Sequence, residues 1–359
     1  MNPRPGAECG PVRLLIADDS FLMRQLLADL LAGVPEIQVV GVARDGEEAL
    51  AMFRSLAPDV VTLDLEMPKM DGLRALAEIQ KERPTPVVVV SAYTQKGAKA
   101  TLEALEMGAF DFVPKPSGTI SLDIGKVRDE LIAKILAASQ SPHKSGQKKD
   151  ERVERRAKLP PLVTSGEKVV AIGASTGGTR ALAEIIPQFP PNLPAPVVVV
   201  QHMPAGFTAS LAERLNDNSR MRVSEAAQGD SLRPGEVLIA PGDRHLLVTP
   251  ERRVQLTQDP PQWGVRPSVD RMMTAVADVY GAGAVGVLLT GMGRDGALGM
   301  KAIKQRGGTT IAQNQETSTV FGMPQAAIKM QCVDAVLPLN EICGAIISLL
   351  INERRNSLW

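Results

Sequence analysis

Short apolar runs, each followed by a stretch of helical periodicity, recur along this chain and constrain its fold more than any other feature. A run with no polar interruption is a strand buried on both faces, the mark of a parallel sheet covered by helices on each side. In the first part of the chain the runs are Val12–Ala17, Val39–Ala43, Val60–Leu63, Val87–Val90 and Phe110–Val113. Helical patterns follow at Phe21–Leu31, Gly46–Leu56, Gly72–Lys81, Ala98–Met107 and Ser121–Ala138. Five strands alternating with five helices suit a flavodoxin-like winding.

The alternation stops after Ala138 and resumes at Lys168. Between them lie Ser, Pro, Gly, Gln and a run of charges with few large apolar residues, the composition of a solvated linker. Further strands are expected at Val169–Gly173, Val197–Gln201, Val237–Ala240, Val285–Thr290 and Thr310–Ala312. Helices are expected at Gly177–Phe189, Thr208–Asn216, Ser268–Tyr280, Gly296–Arg306, Pro324–Lys329 and Leu339–Ile351. Short, turn-rich runs between Val223 and Leu256 predict a hairpin excursion. The expected fold is therefore α/β, with two doubly wound parallel-sheet domains. One, flavodoxin-like, spans residues 11–138; the other, Rossmann-like, spans 168–352; a flexible linker covers 139–167.

Bulk properties exclude several classes. The 359 residues carry 40 Lys plus Arg against 40 Asp plus Glu, so no net charge argues for nucleic acid. The linker's basic excess (Lys144, Lys148, Lys149, Arg152, Arg155, Arg156 and Lys158) has no aromatic residues to stack on bases. No apolar run reaches the roughly 20 residues of a membrane helix, and the first residues lack a signal core. Cys9, Cys332 and Cys343 are too few and too scattered for a disulfide framework or a zinc site, which suits a reducing cytoplasm.

Carboxylates converge in the first module. Strand one runs into Asp18-Asp19 and strand three into Asp64, and strand ends meet at the switch point of a doubly wound sheet. Three carboxylates there repel unless a divalent cation sits among them, and magnesium is the oxygen-seeking ion that also reaches phosphate. Ser91 ends strand four, and Lys115, in Val113-Pro114-Lys115-Pro116, ends strand five; a cis peptide is possible at Pro116. A metal and a lysine around a carboxylate are what phosphoryl transfer requires. In order and type these residues resemble the receiver domain of two-component response regulators. The resemblance implies that Asp64 accepts a phosphoryl group, that Asp18, Asp19 and Asp64 hold Mg2+, and that Ser91 and Lys115 bind phosphoryl oxygens. Tyr93, two residues past Ser91, is either a helper switch or a half-buried aromatic.

The second module begins with Val169-Val170-Ala171-Ile172-Gly173-Ala174-Ser175-Thr176-Gly177-Gly178. A strand ends on a serine between glycines, a turn that lifts a hydroxyl clear of the sheet edge, with helix N–H groups beside it. Such a serine needs a base and an orienting acid. The chain has three histidines: His143 in the linker, His202 at the end of the Val197–Gln201 strand, and His245 past a turn. His202 lies at the same sheet edge as Ser175 and is the expected base; His245 reads as a loop side chain shaping the pocket. Asp295, in Thr290-Gly291-Met292-Gly293-Arg294-Asp295-Gly296, is the expected acid, with an N-cap role able to coexist.

These segments, with Gln201-His202-Met203-Pro204, Ala240-Pro241-Gly242 and Gly322-Met323-Pro324, resemble the chemotaxis protein-glutamate methylesterase family, CheB. The resemblance implies a methylesterase domain with Ser175 as nucleophile, His202 as general base and Asp295 as its orienter, Thr176 beside the nucleophile and the Met292 amide as an oxyanion donor. Arg294 departs from an asparagine common in the family, in the turn that sets Asp295. The implied activity is phosphorylation-regulated hydrolysis of glutamate γ-methyl esters on chemoreceptors, with glutamine deamidation besides. No cofactor is implied for the esterase. The implied partners are the receptors and the histidine kinase of the array, and the implied state is a cytoplasmic monomer.

Overall fold

The computed structural model describes residues 10–92, 94–115, 123–141 and 167–351. The chain divides into two compact units, Met1–Lys149 and Asp150–Trp359. The first unit runs β1 (Val12–Ala17), α1 (Phe21–Leu31), β2 (Ile37–Ala43), α2 (Gly46–Leu56), β3 (Val60–Asp64), α3 (Gly72–Glu82), β4 (Val87–Ser91), α4 (Gln95–Glu106), β5 (Asp111–Pro114) and α5 (Asp123–Gln140). Its strands form one parallel sheet in the order β2-β1-β3-β4-β5, the expected flavodoxin-like winding. β3 and β4 are buried at every position, as their apolar runs require. Side-chain caps begin the helices: Ser20 on α1, Asp45 on α2, Asp71 on α3 and Thr94 on α4. The Thr94 cap starts α4 at Gln95, a turn earlier than its apolar periodicity predicts.

The second unit runs β6 (Val169–Ala174), α6 (Gly178–Ile185), β7 (Val197–Gln201), α7 (Phe207–Asn218), β8 (Arg222–Glu225), β9 (Glu236–Ile239), β10 (His245–Val248) and β11 (Val254–Thr257). It continues with α8 (Val269–Tyr280), β12 (Ala284–Leu288), α9 (Ala297–Gln305), β13 (Thr309–Gln313), α10 (Met323–Lys329), β14 (Ala335–Leu337) and α11 (Leu339–Ile351). Seven strands make a parallel sheet in the order β14-β13-β12-β6-β7-β9-β8. The chain builds outward from β6 through β7, then returns to the other side of β6 with β12. That reversal puts a topological switch point beside β6, where ligands bind in open α/β sheets.

One expectation needs correction. The stretch from Val223 to Leu256 is only partly a hairpin. β10 and β11 are the antiparallel pair, whereas β8 and β9 are parallel strands of the main sheet. β8 and β14 lie at the sheet's two edges and are not among the expected strands: β8 alternates with polar residues, and the apolar run of β14 is three residues long.

The core of this unit joins α8 and α9 to the sheet: Val269, Met272, Met273 and Val276 pack with Val198, Leu288, Met300 and Ile303. At roughly 25 cal/mol per Å2, such fully buried side chains contribute about 1.5–3 kcal/mol each against exposure. Gly173 in β6 permits the fit, because a Cβ there would run into Val269. The start of α8 is thereby pressed against the strand that carries Ser175.

Candidate active site

Ser175 follows β6 directly. Its N–H donates to the Thr290 carbonyl (3.0 Å), and its own carbonyl accepts from Gly178 N–H (2.7 Å) and from the amide of buried Gln201 (2.9 Å). Gly177 adopts φ 76°, the left-handed conformation that turns the strand sharply into α6. Both backbone groups of Ser175 are therefore tied, at the sheet's carboxyl edge.

His202 follows β7 in register. Ala174 pairs with Gln201, and His202 N–H donates to the Ala174 carbonyl (3.1 Å). Ser175 and His202 thus leave adjoining strands one step past the same rung, where neighbouring chains run about 4.8 Å apart. Nε2 of His202 meets Asp295 Oδ2 at 2.8 Å, with the imidazole 11% and the carboxylate 3% exposed. That contact leaves the other ring nitrogen, Nδ1, outside the carboxylate pair.

Asp295 comes from the loop after β12 and is the most heavily bonded side chain of the site. Oδ1 accepts from Ser268 Oγ (2.9 Å), Asp270 N–H (2.9 Å) and Gly296 N–H (3.0 Å); Oδ2 accepts from Val269 N–H (2.7 Å) and His202. Burial raises its pKa, but the His202 bond and charge and the amides of Asp270 and Val269 win, and the net shift is downward. Asp295 is therefore a carboxylate at neutral pH. The helix it serves is not the one that follows it: α9 is capped by Gly296 without a side chain, and Asp295 instead neutralises the N-terminus of α8.

The same loop packs against the serine. A Cβ on Gly291 would approach Ser175 Cβ to 2.7 Å and run into Met323 Sδ. Thr290 is buried; its hydroxyl bonds the Thr176 carbonyl (2.9 Å), and its N–H bonds Gln313 Oε1 (2.8 Å). The amides of Thr176 and Met292 donate to no acceptor among the described residues. Arg294 is exposed and lies over the Trp263 ring, 3.8 Å from its centroid.

His245 is not a loop side chain lining a pocket. It opens β10 with no exposed surface, accepts the Ser268 N–H at Nδ1 (3.1 Å) and donates from Nε2 to the Pro260 carbonyl (3.2 Å). That bonding fixes a neutral ring. Burial pushes its pKa down; the Pro260 carbonyl opposes, and Arg271 and Arg266 add to the lowering. Sequence reasoning passed over its partner Ser268, whose signal was local: a serine directly before an amphipathic helix is an N-cap candidate.

In the first unit, Asp18, Asp19 and Asp64 each place a carboxylate oxygen within 4.8 Å of the others. Asp18 and Asp64 are buried, Asp19 exposed. Lys115 Nζ lies 2.7 Å from Asp64 Oδ2 and 2.9 Å from Asp18 Oδ2. Burial, with Asp18 adding, raises the Asp64 pKa against the opposing lysine. Burial lowers that of Lys115, but its bonds to the two carboxylates outweigh it and the net shift is upward. An all-oxygen donor set with an ammonium beside it suits a hard divalent cation such as magnesium. Ser91 stands at the same edge, yet its hydroxyl is turned to α4, accepting from Thr101 Oγ1 (2.7 Å) and donating to the Gly97 carbonyl (3.3 Å). Tyr93, Pro116, His143 and Cys9 lie outside the described residues. Cys332 and Cys343 are buried free thiols, with burial pushing Cys343 up to about 11. No helix among the described residues is long and apolar enough to cross a membrane.

Fold and site together define a class: a receiver-type module with a carboxylate cluster at its sheet edge, followed by an α/β module whose sheet edge gathers a serine, a histidine and a carboxylate. Residues 14–123 match the model of the response regulator receiver domain, and residues 170–346 that of the CheB methylesterase. Two relatives named protein-glutamate methylesterase/protein-glutamine glutaminase are each 48% identical. That from Pyrococcus abyssi matches over 94% of this chain and 93% of its own; that from Symbiobacterium thermophilum over 94% and 96%. A solved structure, the CheB methylesterase catalytic domain of Thermotoga maritima, is 46% identical; the match covers 52% of this chain and all of that one, with a TM-score of 0.50. The chain belongs to the protein-glutamate methylesterase/protein-glutamine glutaminase family, CheB.

Proposed function

We propose that this chain hydrolyses glutamate γ-methyl esters on chemoreceptors, and glutamine side-chain amides likewise, under control of phosphorylation at Asp64. The 2.8 Å contact between His202 and a buried, ionised Asp295, on the strand end adjoining Ser175, carries the reading.

Ser175 Oγ attacks the side-chain carbonyl carbon while its proton passes to His202 Nδ1. Asp295, held by four further hydrogen-bond donors, keeps the other ring proton on Nε2 and stabilises the imidazolium. The free Thr176 and Met292 amides receive the oxyanion, each such donor being worth roughly 10^2–10^3 in rate. The bond to the leaving oxygen or nitrogen breaks, His202 returns the proton, and methanol or ammonia departs. Water then attacks the acyl-Ser175 ester with the same base, releasing glutamate.

In the receiver, Asp64 is the phosphoryl acceptor, and the donor is a histidine kinase of the sensory array. Asp18, Asp19 and Asp64 hold Mg2+, which when bound neutralises charge on the phosphoryl oxygens. Lys115 contributes a second positive charge, and Ser91 reaches those oxygens by leaving its α4 partners. The receiver spans residues 11–138, the linker 139–167 and the methylesterase domain 168–352; the protein works as a cytoplasmic monomer.

The test is methanol release from methylated receptor fragments, with and without a small phosphodonor and magnesium. Release that requires Ser175 and rises with phosphodonor supports the reading. Loss-free Ser175→Ala overturns the chemistry, and Asp64→Asn responding like wild type overturns the control.

A further inference from the structure

Trp263 stands where the backbone favours a small residue. The turn Gln262–Val265 is closed by both of its N–H···O bonds (3.1 and 3.0 Å), and its inner residues, Trp263 (φ 54°) and Gly264 (φ 81°), are both left-handed. Asn or Gly is the usual occupant of such a position, and a bulky residue there is strained. This tryptophan is 44% exposed, yet it is anchored: its indole N–H donates to Asp270 Oδ2 (2.8 Å), and Asp270 N–H donates to Asp295. Strained residues persist at functional positions when their surroundings hold them.

Arg294 places its guanidinium carbon over that ring. It is exposed, and among the described residues no carboxylate forms an ion pair with it. Its loop spans the catalytic groups, with Gly291 packed on Ser175 and Asp295 bonded to His202. Gly293 and Arg294 are the exposed residues of that span. An aromatic plane therefore holds an uncompensated guanidinium, whose planar fork matches a carboxylate, on the rim of the site.

We propose that Trp263 and Arg294 form a docking clamp for a carboxylate borne by the substrate protein next to the reacting side chain. The proposal rests on the esterase reading above. The ligand is distinct from the product carboxylate, which forms at Ser175, whereas Arg294 is exposed over the Trp263 ring. The clamp thereby selects esters and amides set in acidic segments.

The test compares two methylated peptides in the full-length protein, one with a glutamate a helical turn from the ester and one with glutamine there. The readout is the ratio of their kcat/KM values. Wild type prefers the acidic peptide about tenfold, equal to about 1.4 kcal/mol, mostly through KM. Arg294→Gln brings the ratio near one, and Arg294→Glu reverses it. Trp263→Asn, which accepts the positive φ, also lowers the ratio while the protein stays folded by circular dichroism. A wild-type ratio of one overturns the clamp. So does Arg294→Gln slowing both peptides equally, which would make Arg294 a support for Asp295. Turnover that survives Ser175→Ala would instead overturn the esterase reading.

Discussion

Asp295→Asn is the substitution that tests the proposed mechanism most sharply, because it keeps volume and removes only charge and acceptor capacity. The carboxylate takes five hydrogen bonds, three at Oδ1 and two at Oδ2. An amide has one oxygen. With that oxygen retained by Ser268, Asp270 and Gly296, the Nδ2 group faces two N–H donors, those of Val269 and His202. Val269 N–H is then a buried donor without a partner, at about 1–3 kcal/mol. Loss of the anion at the α8 N-terminus adds about 0.3–1 kcal/mol. His202 can accept from the amide only by moving its proton to Nδ1, the nitrogen that must receive the serine proton. The wrong tautomer costs about 10^4 in kcat in the chymotrypsin-type triad, and a fall of about 10^3–10^4 is expected here. Methanol release at saturating substrate gives the rate, and urea unfolding gives a stability loss of about 1–4 kcal/mol. A variant within tenfold of wild type, but destabilised as stated, would reduce Asp295 to a helix cap and refute the mechanism.

Other outcomes follow from the same contacts. His245 has its pKa held below the ordinary 6.5, so the unfolded chain binds its proton first; the neutral ring's stabilisation is present above about pH 6.5 and is lost as pH falls toward the folded value. In His245→Phe, urea titrations should show about 1–3 kcal/mol lost at pH 8, from the orphaned Ser268 N–H, and a flatter decline below pH 6.5 than wild type; an unchanged slope would speak against a buried neutral ring. Gly291→Ala forces a Cβ against Ser175 and Met323, so activity should fall at least tenfold with about 1–3 kcal/mol of stability. Ordinary turnover in that variant would mean the loop does not press on the serine. Lys115→Ala leaves two buried carboxylates without their cation; since the lysine is 18% exposed, a loss near the lower end of 3–5 kcal/mol is expected. Thermal melts should show magnesium restoring more to this variant than to wild type, and equal gains would argue against a shared cation site.

What could be read along the chain was set by local physics. A strand buried on both faces needs an unbroken apolar run, so β1, β3, β4, β6 and β7 stand out in the sequence. In a parallel sheet such strands all end at one edge, which is why Asp18, Asp64 and Lys115, and separately Ser175 and His202, could be grouped before any coordinates. Edge strands carry no such demand, so β8 left no run to read and passed for part of a hairpin, while the apolar run of β14 is only three residues long.

Fold class, the two carboxyl-edge clusters and the identity of their residues therefore lay in the sequence itself, because periodicity and strand ends are properties of a few neighbouring residues. The pairing of partners did not. That Asp295 caps α8 and not its own helix, that His245 reaches Ser268 across 23 positions, that Ser91 spends its hydroxyl on α4, and that Trp263 carries Arg294 all depend on how distant segments pack. A side chain's hydrogen bonds are decided by whichever donors the fold brings within about 3 Å, and nothing in the local sequence specifies that distance.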